Sequence, residues 1–250
     1  MFEHVEIRLP SGEVLRGDVR AGSDRTVLYV HGFGSHRAGE KSLTLAAQCE
    51  RRGWTFAAFD FRGHGTSSGT MRDLTASRLL EDLSAIRDFL NAGGHSRLGL
   101  VGSSMGGFAA AWFAVRFPDI VTGCVLLAPA FRFLERRVAE LTPGELDDWL
   151  RTGVRRLHNE WVDVEIGYGL VEERVAFDSV DLARRWRTPL LIYHGLADDV
   201  VPVADSLAFV EATRCSQVEL RLMKAGDHRL SAFKDEIAAE ACRFFERRPG

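Results

Sequence analysis

A serine in a glycine-rich turn is the first feature of this sequence that could do chemistry. Ser104 stands at the centre of Gly102-Ser103-Ser104-Met105-Gly106, which fits the G-x-S-x-G pattern of a serine nucleophile. A short apolar run typical of a buried strand precedes the pattern, and a longer Ala-rich run typical of a helix follows it. A sharp turn would present Ser104 at its tip, where glycines on either side carry no Cβ to clash. An ordinary turn can have the same letters, so the prediction depends on the rest of the chain.

A base and an acid that could serve this serine occur in two loops near the end of the chain. His228 follows a predicted edge strand at 218–223, and Asp198 and Asp199 follow an apolar strand that ends at His194. A serine hydroxyl needs an imidazole to remove its proton, and a carboxylate can fix the imidazole tautomer and stabilise its cation. The three residue types together predict acyl transfer through a nucleophilic serine.

Another glycine-rich loop, His31-Gly32-Phe33-Gly34, follows the predicted buried strand at 26–30 and could stabilise an oxyanion. A phosphate-binding loop is the alternative, but the lysine spacing of a P-loop and the G-x-G-x-x-G pattern are both missing. We expect the backbone N–H of Phe33 to face the reacting oxygen. We assign His31 to holding the loop, because His228 is better placed as the base.

The loop after the next predicted strand is also polar and rich in glycine. Asp60, Arg62 and His64 in this loop could form a small ionic and hydrogen-bonded set. We expect this set to support the loop rather than to take part in chemistry.

Strands and helices alternate along most of the chain after a predicted hairpin at 3–9 and 13–20. Several strands are apolar throughout, as strands buried on both faces are, and amphipathic runs such as 74–91 predict helices. This alternation predicts an α/β fold with a mostly parallel, doubly wound sheet of about eight strands and helices on both faces. Loops at the carboxyl ends of parallel strands share one edge, so Ser104 and His228 are expected to meet there.

Residues 131–186 differ from the rest because charged residues are dense and no buried strand is evident. We predict a small helical lid between core segments 1–130 and 187–250, with a helix starting at Thr142-Pro143. The apolar lid residues would either pack on the domain or line a hydrophobic acyl pocket: Phe131, Phe133, Leu134, Trp149, Trp161 and Trp186. The basic ones would either attract an anionic substrate or form a solvated face: Arg132, Arg136, Arg137, Arg155 and Arg156.

Composition excludes several classes of protein. The 250 residues carry a formal net charge of −3, so the sequence lacks the excess of positive charge that is typical of proteins that bind nucleic acid. No stretch has the length and apolarity of a membrane span, and the acidic N-terminus does not resemble a signal peptide. The four cysteines are scattered, and no histidine pair has the spacing of a zinc site. We therefore expect reduced thiols, a cytoplasmic location, and no metal or cofactor.

Five stretches resemble the α/β-hydrolase superfamily of serine hydrolases, in that family's order: HGFG (31–34), DFRGHG (60–65), GSSMGG (102–107), HGLADDVVP (194–202) and GDH (226–228). The resemblance implies Ser104 as nucleophile, Asp198 as acid and His228 as base. It also implies an oxyanion hole made by the backbone N–H groups of Phe33 and Met105. Asp198 is favoured over its neighbour Asp199, because the family places the acid three residues before the valine of the Val-Pro pair.

The run DHRLS at 227–231 also resembles the mitochondrial acyl-protein thioesterases and acyl-glucuronide esterases of this superfamily. The resemblances imply hydrolysis of a carboxylic ester or thioester of a small acyl substrate, through an acyl-enzyme on Ser104. A peptidase, a lactonase or a C–C bond hydrolase would use the same residues, and a non-catalytic ligand-binding module would keep only the fold. The oligomeric state is left open.

Overall fold

The computed structural model describes residues 1–158 and 162–248, apart from the side chain of Asp24. The strands in these ranges are β1 (Glu3–Arg8), β2 (Val14–Arg20), β3 (Ser23–Val30), β4 (Trp54–Phe59), β5 (Leu98–Ser103), β6 (Val121–Leu127), β7 (Val154–His158), β8 (Asp163–Gly167), β9 (Leu190–Gly195) and β10 (Val218–Met223). The helices are α1 (Glu40–Arg51), α2 (Ala76–Ala92), α3 (Met105–Arg116), α4 (Phe133–Ala139), α5 (Pro143–Thr152), α6 (Gly169–Glu172), α7 (Ser179–Arg185), α8 (Val203–Ala212) and α9 (Lys234–Glu246). In the described ranges, none of these helices combines the length and the apolarity that crossing a membrane requires.

Eight strands form one sheet in the order β1-β2-β4-β3-β5-β6-β9-β10. β1 and β2 are antiparallel, with Glu3 opposite Val19 and Arg8 opposite Val14, so the predicted hairpin is confirmed. β2 also pairs antiparallel with β4, whereas every pair from β4 to β10 is parallel. The parallel strands bring their carboxyl ends to one edge of the sheet, as the alternating pattern predicts.

Helices cover both faces of this sheet, which explains why its central strands are apolar throughout. β4, β5 and β9 are buried at every residue. Helices α1 and α9 contribute to the core on one face, and α2, α3, α7 and α8 contribute to the core on the other. Alternate residues of β3 enter the two cores, with Val27 and Tyr29 in one and Leu28 and Val30 in the other. The predicted doubly wound arrangement is therefore confirmed.

The segment 131–186 contains helices α4 to α7, but it also contains an antiparallel hairpin of β7 and β8. The segment predicted to be helical therefore also holds a two-stranded sheet. Both hairpin strands are mostly half-buried or exposed, and only Ile166 and Gly167 at the end of β8 are buried. A continuous apolar run, the usual signal of a buried strand, is therefore missing from the sequence here. The division of the chain into three segments stays a prediction.

Other predictions for the lid can be located in the structure. Helix α5 begins as predicted, because Thr142 caps it and the Glu145 carboxylate accepts the backbone N–H of Thr142 at 2.9 Å. Trp161 lies outside the described residues. The other apolar lid residues named above are buried: Phe131, Phe133, Leu134, Trp149 and Trp186. Trp186 packs onto the domain, with its ring 5.6 Å from that of Phe209 in α8, whereas Trp149 packs at 5.8 Å on Tyr168 within the lid.

Candidate active site

The turn between β5 and α3 holds Ser104 in a backbone conformation that side chains rarely adopt. Ser104 has φ 54° and ψ −117°, so strain is concentrated at the tip of the turn. A Cβ on Gly102 would lie 2.6 Å from the carbonyl oxygen of Gly106, and a Cβ on Gly106 would overlap the carbonyl oxygens of Val30 and His31. The two glycines are needed because strand, turn and helix approach so closely. The turn presents Ser104 at the carboxyl edge of the sheet.

The loop after β10 brings His228 to Ser104, although the two residues are 124 positions apart. Nε2 of His228 lies 3.0 Å from Oγ of Ser104, and Nδ1 lies 2.9 Å from Oδ2 of Asp198. In the tautomer that fits both contacts, Nδ1–H donates to the carboxylate and Nε2 accepts from the serine hydroxyl. The structure therefore brings together the serine, histidine and aspartate that the sequence singles out.

The loop after β9 holds the Asp198 carboxylate in a set of hydrogen bonds. Oδ1 accepts the backbone N–H groups of Val200 and Val201 at 2.9 and 2.8 Å, and Oδ2 lies 3.2 Å from Nε2 of His194. Burial raises the pKa of Asp198, but hydrogen bonds from His194, His228 and Val201 outweigh it and hold the pKa well below its usual range. Asp198 is therefore an ionised partner for His228.

The two neighbouring acids are placed differently. Asp199 is exposed. Oδ1 of Asp227 accepts the backbone N–H of Leu230 at 2.8 Å and so stabilises the loop that carries His228. Of these acids, the structure brings Asp198 to the imidazole.

His194 supports the acid, a role that the sequence interpretation missed. It is fully buried, its Nδ1 lies 2.8 Å from Oγ of Ser206, and its Nε2 lies near Asp198 and 2.9 Å from the carbonyl oxygen of Val201. The available signal was its position at the end of a buried strand, immediately before the acid loop.

Lys41 in α1 connects two parts of the site, and it was also missed. Its Nζ donates to Oγ of Ser103 and to the carbonyl oxygen of Arg229, both at 2.9 Å. These acceptors directly adjoin Ser104 and His228 in the chain. Burial lowers the pKa of Lys41 to about 8. No sequence signal marks this residue, because its partners lie 62 and 188 positions away.

The loop after β3 passes directly beside the strained turn. A Cβ on Gly32 would lie 3.2 Å from the carbonyl oxygen of Ser103 and 3.4 Å from Cβ of Ser104. Phe33 follows this glycine, and Met105 on the other side is the first residue of α3. The N–H of a first helical residue has no partner inside its helix. The backbone segments of Phe33 and Met105 therefore flank Ser104.

His31 ties this loop to its neighbour, as the sequence interpretation expects. It is fully buried, Nε2 accepts the backbone N–H of Phe61 at 3.0 Å, and Nδ1 lies 2.8 Å from the carbonyl oxygen of Gly32. Burial, followed by the nearby His64, lowers the pKa of His31 to about 3. His31 is therefore a neutral structural residue.

The predicted set of Asp60, Arg62 and His64 forms only in part, because Nδ1 of His64 lies 3.2 Å from the carbonyl oxygen of Arg62 but the side chains of Asp60 and Arg62 have separate partners. The Asp60 carboxylate accepts the backbone N–H of Arg37 at 2.7 Å, whereas Nε of Arg62 donates to Asp82 in α2 at 2.6 Å. The Asp60 and Arg62 side chains thus hold different parts of the fold together. Their structural role agrees with the interpretation that this loop supports the site.

Comparison with known families identifies the fold. The family model that describes the alpha/beta hydrolase fold matches residues 25–182, which is more than half of the chain. The chain belongs to the alpha/beta hydrolase fold family. The family resemblance and the fold class predicted from the sequence are thereby confirmed.

Individual relatives extend the match over most of this α/β hydrolase. It is 25% identical over 217 residues to the mitochondrial palmitoyl-protein thioesterase ABHD10 of Bos taurus, covering 86% of this chain and 70% of the relative. Among solved structures, a protein from Agrobacterium vitis S4 described as a hydrolase superposes with a TM-score of 0.86 at 27% identity, over 98% of each chain. Mouse alpha/beta hydrolase domain-containing protein 10 superposes with a TM-score of 0.85 at 22% identity, over 98% of each chain, and supports the fold alone.

Proposed function

We propose that this α/β hydrolase cleaves carboxylic ester or thioester bonds of small acyl substrates through an acyl-enzyme on Ser104. The observation that carries the proposal is the line of contacts from Oγ of Ser104 through His228 to Asp198, at 3.0 and 2.9 Å. Similarity to a relative named as a palmitoyl-protein thioesterase supports an acyl substrate, with thioesters among the bonds cleaved. Ser104, His228 and Asp198 would then form a catalytic triad.

In the acylation step, Ser104 is the nucleophile and His228 is the general base. Nε2 takes the hydroxyl proton as Oγ attacks the acyl carbon, and the carbonyl π electrons move to the oxygen. The N–H groups of Phe33 and Met105 stabilise the resulting oxyanion, and losing one such donor typically costs about 10²–10³ in rate. The intermediate then collapses, the bond from the acyl carbon to the leaving oxygen or sulfur breaks, and His228 returns its proton to the leaving group.

In the deacylation step, water takes the place of the leaving group. His228 removes a proton from the water as it attacks the acyl carbon, the bond to Oγ breaks, and Ser104 regains its proton as the carboxylic acid leaves. The imidazole becomes positively charged once in each step. Asp198 stays ionised because its pKa is held well below its usual range, and its charge stabilises both cations.

Removal of the Ser104 hydroxyl tests the proposal. We expect Ser104→Ala to lower kcat for a p-nitrophenyl acyl ester and for the matching acyl thioester by about 10⁴–10⁶-fold, because no nucleophile remains. The matched control is Ser103→Ala, which removes the neighbouring hydroxyl and retains the nucleophile and base, so it should lose no more than about tenfold in kcat, through its lost hydrogen bond from Lys41. Undiminished turnover by Ser104→Ala would refute the proposal.

A substrate panel distinguishes this proposal from other reactions of the same residues. The panel contains an ester, a thioester, an amide, a lactone and a substrate for C–C bond hydrolysis. We expect kcat/KM to be highest for the ester or the thioester. A higher value for another member would assign the site to that bond instead.

A further inference from the structure

Helices α1 and α9 pack on each other in the core on one face of the sheet. In the described part of the chain, no other two helices contact each other as extensively. The buried residues of the two helices include several small ones: Ala46 and Cys49 in α1, and Ala238, Ala241 and Cys242 in α9. Small side chains allow two helices to approach closely. Cysteines on such helices can therefore meet.

The thiols of Cys49 and Cys242 face each other, although most of the chain separates the two residues in sequence. Both residues are fully buried. A hydrogen bond between the thiols raises the pKa of Cys49 and lowers the pKa of Cys242. Cys242 therefore ionises first, and a thiolate is the form of cysteine that reacts with oxidants.

An ion pair joins the same two helices beside the thiols. Nε of Arg52, three residues after Cys49, donates to Oε1 of Glu246, four residues after Cys242, at 2.7 Å. Residues three or four apart lie on the same face of a helix. The ion pair and the thiols thus lie about one turn apart along the same interface. The charge of Arg52 also favours the thiolate form of either cysteine.

We propose that hydrogen peroxide oxidises Cys49 and Cys242 to a reversible disulfide that joins α1 to α9 covalently. The thiolate of Cys242 attacks one peroxide oxygen, the O–O bond breaks, and the products are a sulfenic acid and water. The sulfur of Cys49 then attacks the sulfenic sulfur, the S–O bond breaks, and hydroxide leaves with the thiol proton as a second water. The two thiols lose two electrons and two protons in total, and the peroxide is reduced.

The pair is buried, but a molecule as small as hydrogen peroxide needs only a local opening of the interface to reach it. The inference does not depend on hydrolysis at Ser104. A disulfide stabilises a protein mainly by restricting the unfolded chain, and more so when a long stretch of chain lies between the cysteines. We therefore expect the oxidised protein to be more stable than the reduced one.

Mapping the oxidised cysteines is the first test. The folded protein is treated with hydrogen peroxide, free thiols are blocked with N-ethylmaleimide in denaturant, and trypsin is added without reduction. Tryptic cleavage leaves Cys49 in peptide 42–51 and Cys242 in peptide 235–243. We expect mass spectrometry to find these peptides joined, and dithiothreitol to separate them. Sulfinic acid at Cys242 without a link, a link to Cys124 or Cys215, or no oxidation of either cysteine would overturn the inference.

The melting temperature, measured before and after oxidation of the same protein, is the second test. We expect oxidation to raise it by about 4–16 °C, the typical effect of a disulfide in a chain of this length. Cys49→Ala and Cys242→Ala should each lose this increase, and comparison within one variant removes the packing cost of the substitution. The control is Cys124→Ala, because Cys124 is equally buried but lies in the core on the other face of the sheet. It should keep both the link and the increase, and a linked protein that melts no higher than the reduced one would contradict the stabilising role.

Discussion

At the scale of single residues, the choice between two adjacent aspartates shows how the site is defined. Asp198 accepts two backbone N–H groups and lies beside two histidines, whereas Asp199 is exposed. Only Asp198 can both orient the His228 imidazole and offset its charge when it is protonated. The two residues differ by one position in sequence and by their whole environment in the structure.

This difference predicts opposite outcomes for two matched substitutions. We expect Asp198→Asn to lower kcat for a p-nitrophenyl ester by about 10⁴-fold, because the amide neither stabilises the imidazolium nor fixes its tautomer. KM should change little, since Asp198 does not touch the substrate in the proposed mechanism. Asp199→Asn, measured in the same assay, should retain nearly full activity. Equal losses in the two variants would contradict the assignment of the acid.

At the scale of structural elements, the hydrogen bonds of Lys41 connect a helix, a strand and a loop. Helix α1 is joined through this ammonium to the end of β5 and to the loop after β10. The contacts of Lys41 therefore help to set the distance between the serine turn and the imidazole. A displacement of about 1 Å between reacting groups can cost about 10²-fold in rate.

Loss of this connection should be seen in kcat. We expect Lys41→Met to lower kcat about tenfold or more with little change in KM, because the hydrogen bonds to Ser103 and Arg229 are lost while the substrate contacts remain. Lys234 is a suitable control, because it lines the same small surface pocket as Lys41 and pairs with Asp235 at 3.6 Å. Lys234→Met should keep the kcat of the unsubstituted protein. A change confined to KM in Lys41→Met would contradict this role.

The close approach of α3 to β3 leads to a second prediction at this scale, on the stability of the protein. A methyl group on Gly106 would overlap backbone oxygens of Val30 and His31, which cannot move without displacing a central strand. We expect Gly106→Ala to lower the melting temperature by about 2–12 °C, from a packing penalty of about 1–3 kcal/mol in a chain of this length. Gly144 in α5 has nothing within 4 Å of such a methyl group. Gly144→Ala should therefore leave the melting temperature unchanged or slightly higher.

At the scale of the whole molecule, the carboxyl edge of one parallel sheet gathers residues from distant parts of the chain. The order of strands and helices was predictable, because strands such as β4, β5 and β9 are buried on both faces and therefore apolar throughout. The positions of Ser104, Asp198 and His228 followed from it, since each stands in a loop at that edge. Most of the fold can thus be predicted from the hydrophobic periodicity and the turn residues of the sequence.

Other features could not be predicted, for physical reasons. The β7–β8 hairpin has no buried apolar run, so its strands resemble the polar helices around them. Lys41 and His194 act through contacts that depend on tertiary packing, which leaves no local pattern. The hydrogen-bond partners of Asp60 and Arg62 could not be predicted either, because proximity of two residues in a loop sequence does not determine which side chains meet.

The cellular location stays a prediction. The four cysteines form no disulfide in the structure, and three of them are buried. The similar thioesterase from Bos taurus is named as mitochondrial, whereas the sequence interpretation favours the cytoplasm.

Mapping the site of covalent labelling is the most direct test of the central claim, that Ser104 is activated by His228. The protein is treated with a fluorophosphonate and digested, and mass spectrometry identifies the modified residue. The account predicts one adduct on Ser104, which forms at least about 10³-fold more slowly in His228→Ala because the base is missing. An adduct on Ser103 or elsewhere, or labelling of Ser104 that is equally fast without His228, would contradict it.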